Sequence, residues 1–258
     1  MNIYHQISSI GEEIPVAATI GSFDGVHRGH AEILRKTCEA ARQIDGQSLI
    51  ISFNPHPRKI VNPDYRLQML TSPQEQTALF SALGIDNLLY LPFTPELAQM
   101  SYSAFLSALT TKIQLKTLVM GYNNNFGSQR EGNREKIASS GKFSEVKLEE
   151  VPALYYEGEA ISSSRIRKTI EAGDILQANN MLGYAYPAEL VSWAHTPTGQ
   201  TCCRLANGDK VFPRKGRYTI KINQTEKQIS IEEQNIYLSE KIDLHQTFNI
   251  NIINKNQD

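Results

Sequence analysis

Apolar residues follow two different spacings along the first part of the chain. Up to about residue 184, short continuous apolar runs alternate with segments whose apolar positions recur every three or four residues. The first spacing is typical of buried strands and the second of helices. Strands are predicted at residues 15–20, 48–53, 87–91, 117–120 and 145–151. Helices are predicted at residues 30–43, 73–83, 104–113, 133–139, 164–172 and 174–182.

This alternation predicts the class of fold. Strands that alternate with helices imply crossover connections and therefore a parallel sheet. We predict an α/β fold with a Rossmann-like parallel sheet, in which ligands bind beyond the carboxyl ends of the strands. The loops after the first, second and fourth predicted strands are rich in Gly, Asn and His, and read GSFDGVHRGH, NPHPRK and GYNNNFGSQREGN. We expect the chemistry of the protein in these loops.

Beyond residue 184 the helical spacing fades. Short β-rich pieces take its place, LVSWAH, TCCRL, YTIKI, QISI, IYL and FNINII, and turn signals such as Asn207-Gly208 separate them. We predict two domains, an α/β domain over residues 1–184 and a small β-rich domain, a sandwich or a barrel, over residues 185–258.

Bulk composition narrows the class of protein. The chain is 40% hydrophobic and 21% charged, as in ordinary globular proteins, and its formal net charge of −1 gives no sign of a nucleic-acid surface. No apolar run approaches the roughly 18 residues that span a bilayer, and the first residues lack the features of a signal peptide. The three cysteines lack a metal-binding spacing, which predicts a reduced, cytoplasmic protein. Neither nucleic acid nor membrane is expected as a partner, and the oligomeric state is left open.

The stretch GSFDGVHRGH lies at the junction of a predicted strand and a predicted helix. Gly21 allows a tight turn there. A helix that begins near Gly29 would direct its free N–H groups into the crevice of the sheet, as in phosphate sites. His27 and His30 are three residues apart, so both imidazoles can face one phosphate chain. They could instead be metal ligands or ordinary packing residues, but no third and fourth ligand with a matching spacing is found, and no metal site is predicted.

A second candidate phosphate segment is SSSRIR, residues 162–167. Serines at a helix start cap free N–H groups and can reach phosphate oxygens, so Ser163 and Ser164 are candidates. Arg167, one turn into the helix, can add a bidentate contact to a phosphate. The alternative is a plain helix cap with solvated arginines, and the presence of GSFDGVHRGH favours the phosphate interpretation.

Four motifs together carry a family resemblance. TIGSFDGVHRGH resembles the signature of the HxGH nucleotidyltransferase superfamily, and in detail the FAD synthetase module of the bacterial bifunctional riboflavin kinase/FAD synthetases. FNPHP (53–57) resembles that family's F-x-P-H-P, GYNNNFG (121–127) its G-x-D/N-F-x-F-G, and SSSRIR its S-S-T-x-I-R. The resemblance covers about residues 15–185. Asn124 and Asn125 depart from the family's usual residues, which concerns the contacts to flavin or adenine.

The resemblance implies an FMN adenylyltransferase, which joins FMN and ATP to give FAD and pyrophosphate with Mg²⁺ on the phosphates. It implies three catalytic residues, His27, His30 and Arg167. The residues implied for ATP and its phosphates are Gly21, Ser22, Phe23, Gly29, Asn123, Ser163 and Ser164. The residues implied to line the flavin are Phe53, Pro55, His56, Pro57 and Phe126. For His56, packing on a stiff proline loop is the alternative.

The last part of the chain departs from the family. The bifunctional enzymes carry a riboflavin kinase barrel there, marked by G-R-x-L-G-F-P-T-A-N, of which only Pro197-Thr198 is present. We therefore predict a reduced riboflavin kinase-like domain without kinase activity. Three alternatives stay open: a bifunctional riboflavin kinase/FAD synthetase, a nucleotidyltransferase that acts on another phosphate acceptor, and an inactive flavin- or nucleotide-binding regulator.

Overall fold

The computed structural model describes residues 1–11, 13–64, 66–232 and 235–256. A parallel sheet is formed by β1 (Asn2–Tyr4), β2 (Pro15–Ile20), β3 (Gln47–Asn54), β4 (Asn87–Pro92), β5 (Gln114–Gly121) and β6 (Lys147–Val151). The helices are α1 (Arg28–Gln43), α2 (Pro57–Val61), α3 (Pro73–Ala82), α4 (Pro95–Gln99), α5 (Tyr102–Thr110), α6 (Arg134–Ser139), α7 (Ser163–Glu171) and α8 (Ile175–Leu182). A small hairpin, β7 (Tyr155–Tyr156) and β8 (Glu159–Ala160), precedes α7.

The order of the strands in the sheet is β1-β4-β3-β2-β5-β6, and every neighbouring pair is parallel. The Rossmann-like α/β prediction is thereby confirmed. The chain places β3 on one side of β2 and β5 on the other side. The carboxyl ends of β2 and β5 therefore form a topological switch point, which is where open α/β sheets bind ligands.

The sequence of β2 explains its central position. Nearly all of PVAATI is buried, as expected for a parallel strand with helices on both faces. Val16, Ala18 and Ile20 belong to the apolar cluster on the face that α5 covers. Ala17 lies on the opposite face, against the small side chains of α1.

Helix α1 is amphipathic, with buried residues at a spacing of three or four, Leu34, Thr37, Cys38 and Ala41. The side chain of His27 caps its first turn. The chain leaves the helix through Gly46, where a Cβ atom would lie 2.1 Å from the carbonyl oxygen of Pro15. Only glycine fits there, and this sharp exit returns the chain to the sheet as β3.

The predicted loop after β3 is wrong in part. Residues of NPHPRK begin the short helix α2, because Pro57 occupies its first turn and the side chain of His56 caps it. Strand β1 and helix α4 were likewise absent from the sequence-based prediction.

The β-rich part forms a closed antiparallel barrel, which resolves the choice between sandwich and barrel. Its strands are β9 (Tyr186–His195), β10 (Thr201–Leu205), β11 (Gly216–Ile222), β12 (Thr225–Glu232), β13 (Asn235–Leu238) and β14 (Thr247–Lys255), in the order β10-β13-β12-β11-β14-β9. Tyr218, Ile220, Ile250 and Ile252 are among its buried residues, in strands whose burial alternates. Closure leaves the barrel without an exposed strand edge.

The chain divides into two compact units. The first contains residues 1–67 and 73–155, and the second contains residues 68–72 and 156–258. Helices α7 and α8 therefore belong to the unit that holds the barrel. The domain boundary at residues 184 and 185 stays a prediction.

Cys38, Cys202 and Cys203 are all free and buried. None of the helices in the described ranges is long and apolar enough to cross a membrane.

Candidate active site

The loop between β2 and α1 (residues 21–27, the β2–α1 loop) is tightly wound. Gly21 donates its N–H to the carbonyl of Ile51 at 3.0 Å, and Val26 donates to the carbonyl of Phe23 at 3.0 Å. Phe23 and Val26 both have positive φ, 47° and 32°. This backbone conformation costs a side-chain-bearing residue about 1–2 kcal/mol. The surrounding structure therefore has to hold the loop in place.

His27 and His30 (the histidine pair) stack on each other, with ring centroids 3.6 Å apart and an interplanar angle of 18°. Nδ1 of His27 accepts the backbone N–H of His30 at 3.3 Å. This nitrogen therefore carries no proton, and the neutral ring of His27 holds its proton on Nε2. A Cβ at Gly29 would approach the His27 ring to 3.3 Å, so glycine leaves the ring its place.

His30 is held in a neutral state by its surroundings. Its ring packs edge-on against Phe23, at 5.3 Å between centroids, and its Nδ1 is buried with no hydrogen-bond partner among the described residues. Burial, and secondly an electrostatic interaction with His27, place the pKa of His30 well below its ordinary value. A bound polyphosphate would oppose both effects, because an anion favours the cationic form of a nearby imidazole.

The electrostatics of α1 add to this pair. The helix begins at Arg28, two residues before the predicted range of 30–43, and its first turn follows the carboxyl end of β2. Unpaired N–H groups at a helix start carry partial positive charge and suit an anion. The β2–α1 loop, the helix start and the histidine pair together suit the binding of a phosphate chain.

The loop after β5 is tied to the end of β2. Asn124 donates its side-chain amide to the carbonyl of Ile20 at 2.6 Å, and its backbone N–H to the carbonyl of Gly121 at 2.9 Å. This gives the unusual Asn124 a structural reason, since its amide links both strands of the switch point. Asn123 is exposed at the same edge.

The implied flavin-lining residues include two rings of an aromatic cluster. Phe53 packs on Phe105 with centroids 6.5 Å apart, and Phe105 packs on Phe126 at 6.2 Å. Phe93, which no motif marked, packs edge-on against Phe53 at 5.4 Å and is partly exposed. Its backbone N–H donates to the carbonyl of Asn54 at 3.2 Å. In the sequence, only the position of Phe93 just after a predicted strand indicates that it could lie near the site.

The proline and histidine residues of FNPHP shape the backbone next to this cluster. The peptide bond before Pro55 is cis, and Pro57 opens α2. Nδ1 of His56 accepts the backbone N–H of Arg58 at 3.1 Å. His56 is thus a helix cap, and a role in lining the flavin site stays a prediction.

The serines and the arginine of SSSRIR lie in the second compact unit, whereas the histidine pair lies in the first. The helix cap is Ser162, whose side chain accepts the N–H of Arg165 at 3.3 Å, and Ser163 and Ser164 open α7. Arg167 is buried and donates its Nε to the carbonyl of Gln68 at 2.8 Å. A phosphate contact from Arg167 stays a prediction.

Two further residues contact the candidate site through the β2–α1 loop. Gln76 of α3 donates its side-chain amide to the carbonyl of Ser22 at 2.7 Å. The hydroxyl of Tyr90 donates to the amide oxygen of Gln76 at 3.2 Å. Sequence reasoning missed both residues, and the only signal was a polar residue four positions before Phe80 on a predicted helix.

A Rossmann-like sheet with stacked histidines at a helix start, beside its switch point, defines the class of HxGH nucleotidyltransferases. Residues 10–165, more than half of the chain, match the sequence profile described as FAD synthetase. The chain belongs to the FAD synthetase family and is a nucleotidyltransferase enzyme.

Individual relatives agree with this assignment. The bifunctional riboflavin kinase/FMN adenylyltransferase of Listeria monocytogenes is 26% identical over 217 residues, which cover 81% of this chain and 68% of that protein. The protein of the same name from Buchnera aphidicola (subsp. Schizaphis graminum) is 30% identical over 169 residues, which cover 65% and 54%. The chain thus spans about half to two thirds of the length of these relatives.

A solved structure shares the fold. A crystal structure described as a macrolide-efflux protein from Streptococcus pneumoniae superposes with a TM-score of 0.87 and covers 100% of this chain and 90% of that one. At 20% sequence identity this similarity concerns the fold alone.

Proposed function

We propose that the protein is an FMN adenylyltransferase, an FAD synthetase that converts FMN and ATP to FAD and pyrophosphate. The observation that carries this proposal is the stacked histidine pair at the start of α1, in a chain of the FAD synthetase family. An oxygen of the FMN phosphate attacks the α-phosphorus of ATP, the bond from that phosphorus to the bridging oxygen breaks, and pyrophosphate leaves. Positioning and charge stabilisation suffice for such a transfer, and no covalent intermediate is required.

The histidine pair acts on the leaving pyrophosphate in this scheme. His27 presents an Nε2–H donor because its Nδ1 accepts a backbone hydrogen bond. His30 is neutral at rest because burial lowers its pKa. The pair gains positive character as negative charge develops on the leaving group. Gly21, Ser22 and Phe23 shape the loop, and the Gly29 amide adds a donor. Asn123, Ser163, Ser164 and Arg167 are assigned to nucleotide and phosphates on the strength of the family motifs that they match.

Mg²⁺ would accompany the nucleotide. Within the described ranges no group of three or more His, Cys, Asp or Glu side chains could hold a metal ion. In this proposal the phosphates carry the ion, which keeps most of its waters, as Mg²⁺ usually does. When bound, the ion would neutralise charge on the phosphates.

The acceptor is assigned to the aromatic cluster. Phe53 is partly exposed and offers apolar ring surface for an isoalloxazine, with Pro55, His56 and Pro57 beside it. Phe126 is buried and supports this ring through Phe105. Phe93 extends this surface, because it is partly exposed and packs on Phe53.

The barrel carries no riboflavin kinase activity in this proposal. Pro197-Thr198 lies in the turn between β9 and β10, where the Thr198 hydroxyl is 2.8 Å from that of Thr196. The buried hydroxyls of the barrel are also engaged, since Ser192 donates to the carbonyl of Asp243 at 2.7 Å and Thr201 to that of Glu240 at 2.8 Å.

The direct test is to incubate the purified chain with ATP and Mg²⁺, once with FMN and once with riboflavin. We expect FAD and pyrophosphate in equal amounts from FMN, and no FMN from riboflavin. The absence of FAD from a folded protein would overturn the adenylyltransferase proposal, and the formation of FMN would establish the bifunctional alternative. A panel of other phosphate acceptors, followed by pyrophosphate release, tests the remaining enzymatic alternative. Tight binding of FMN and ATP without turnover would identify the regulator.

A variant with His27→Asn and His30→Asn tests the histidine pair. Asparagine is a good helix cap, so α1 keeps its start while both ring donors are lost. We expect FAD formation to fall by about 10²–10³-fold, the range for a lost transition-state donor. His245→Asn is the matched control, because His245 is exposed and has a φ of 60°, which asparagine tolerates. Unchanged turnover in the double variant would remove the pair from the mechanism.

A further inference from the structure

We propose that Gln76 and Tyr90 are positioning residues, which hold the β2–α1 loop in the backbone conformation that the histidine pair requires. Neither residue belongs to one of the four family motifs. The inference rests on the proposed function for its catalytic consequence, but its structural part can be measured without turnover.

The amide of Gln76 can be oriented in only one way. Its partner on one side is the carbonyl oxygen of Ser22, which only accepts, so the nitrogen of Gln76 must face the loop. Its oxygen then faces the hydroxyl of Tyr90, which donates. Gln76 is 5% exposed, so these partners replace water, and either lost bond leaves a buried polar group unpaired.

The position of the accepting carbonyl gives this contact its importance. The carbonyl of Ser22 and the nitrogen of Phe23 share one peptide plane, so fixing the carbonyl restrains the φ angle of Phe23. That angle is 47°, an unfavourable value for phenylalanine. Without the hydrogen bond from Gln76 the peptide is free to rotate toward an ordinary φ.

The ring of Phe23 transmits this restraint to His30. Phe23 packs edge-on between His30, at 5.3 Å, and Phe80, at 6.0 Å. Rotation of the Ser22–Phe23 peptide would move the ring away from both. His30 would then lose the contact with Phe23 that buries its ring and keeps it stacked on His27, at 3.6 Å between ring centroids.

Tyr90 completes the arrangement from β4. Burial, and secondly the negative charge of Asp24, raise the pKa of Tyr90 to about 12. The hydroxyl therefore stays protonated and remains a donor to Gln76 at neutral pH. The hydrogen bonds run from β4 through α3 to the loop, so two rigid elements support a strained segment.

The experiment compares Gln76→Met with Gln47→Met. Methionine keeps the length of the side chain and removes both hydrogen bonds of Gln76. Gln47 is the matched control, because its amide oxygen accepts a hydrogen bond from Asn87 at 2.8 Å, at the start of β3, far along the strand from the loop. We expect Gln76→Met to lower kcat for FAD formation about tenfold or more, as for a misplaced catalytic group, with the KM for FMN within about twofold of wild type. Gln47→Met should retain kcat.

A measurement on the imidazole separates positioning from mere stability. An NMR titration should show the pKa of His30 moving up toward its ordinary value in Gln76→Met and staying low in wild type and in Gln47→Met. Tyr90→Phe removes one hydroxyl only. It should shift kcat and the pKa of His30 in the same directions as Gln76→Met, by smaller amounts. Tyr90→Phe is the decisive variant if Gln76→Met does not fold.

Two results would overturn the proposal. One is wild-type turnover and an unchanged His30 titration in folded Gln76→Met, or in folded Tyr90→Phe where the first variant does not fold. The other is a loss of activity in Gln76→Met that is no larger than its loss of folded protein and that Gln47→Met shows to the same degree. If the wild-type chain makes no FAD, the proposed function fails, and the His30 titration still decides whether Gln76 positions the loop.

Discussion

Ser48 and Ser52 lie on the same face of β3, four residues apart, and their hydroxyls have opposite surroundings. The hydroxyl of Ser48 donates to the carboxylate of Asp86 at 2.7 Å and accepts the backbone N–H of Asp86 at 2.9 Å. The hydroxyl of Ser52 is buried and has no hydrogen-bond partner within the part of the chain that the structure describes. Ser48 is near the start of the strand, at the amino edge of the sheet, and Ser52 is near its end, at the carboxyl edge.

The two edges differ in the same way beyond these serines. At the amino edge, Asn87 donates to Gln47 at 2.8 Å and accepts from Asn2 at 3.1 Å. At the carboxyl edge, the hydroxyl of Thr19 and Nδ1 of His30 are, like the Ser52 hydroxyl, buried atoms for which the described ranges contain no hydrogen-bond partner. The positive φ angles of the β2–α1 loop are at this edge as well.

This difference indicates how the sheet divides its tasks. A buried polar group without a partner costs about 1–3 kcal/mol, and a strained backbone residue adds a similar amount. The amino edge satisfies its polar groups and stabilises the fold. The carboxyl edge retains unsatisfied buried groups at the place where the proposed ligands bind, as is common at functional sites.

The largest effect is expected at the amino edge, from Asn87→Ala. The substitution leaves a small cavity and removes the partners of Gln47 and Asn2, so the free energy of unfolding should fall by about 2–3 kcal/mol. Turnover per folded molecule should stay at the wild-type value. Denaturant unfolding and an FAD assay at saturating substrate measure the two quantities. A loss of specific activity would contradict the division between the edges.

Next in size is the contrast between Ser48→Ala and Ser52→Ala, the same change on one strand. Ser48→Ala should lower the free energy of unfolding by about 1–2 kcal/mol, because two hydrogen bonds are lost. Ser52→Ala should leave it unchanged or raise it by up to about 1 kcal/mol, since it removes an unpaired hydroxyl. Equal destabilisation by both changes, in parallel denaturant titrations, would show that the edges do not differ.

Phe93→Ala should affect function with little effect on stability. We expect the KM for FMN to rise about tenfold, the usual scale for a lost aromatic contact of about 1.4 kcal/mol, with the KM for ATP unchanged. Phe248→Ala is the control, since Phe248 is also a partly exposed phenylalanine, on β14 of the barrel. An equal rise in both KM values would argue that Phe93 supports the whole site and not the acceptor alone.

The smallest effect is a pH dependence of stability from His30. Folding lowers its pKa, so the unfolded chain binds a proton that the folded chain does not. The stability contribution is complete above the unfolded pKa of about 6.5 and is lost as the pH falls below it, by at most about 0.8 kcal/mol at pH 6. His30→Asn should lack this loss, which unfolding experiments at pH 8 and pH 6 can compare. Identical pH profiles for wild type and variant would show that His30 titrates normally.

Local pattern was enough for most of the secondary structure. PVAATI was predicted as a buried strand from its continuous apolar run, and α1 from its amphipathic spacing, and both are confirmed. β1 escaped prediction because three residues, Asn2–Tyr4, carry no periodicity and form a strand only by pairing with β4. α2 escaped prediction because a proline-rich stretch is typical of a loop, although Pro57 is well suited to a helix start.

The residues of the candidate site likewise divide into those that local sequence predicted and those that it did not. The motif GSFDGVHRGH already contained the glycines and the two histidines, three residues apart, that make up the histidine pair. By contrast, Gln76 acts on Ser22 from 54 residues away and Asn124 on Ile20 from 104 residues away. No spacing of residues in the sequence predicts such contacts, because they depend on which strands become neighbours in the sheet.

The sequence by itself thus determined most of the helices and strands, the α/β class, the family and the residue types of the candidate phosphate loop. These properties depend on side-chain chemistry and on spacings within a few turns of chain. Only the tertiary structure decided the strand order around β2, the closure of the barrel, the stacking of His27 on His30 and the neutral state of His30. Those outcomes depend on burial and on hydrogen bonds between residues distant in the chain, and such contacts exist only once the sheet has formed.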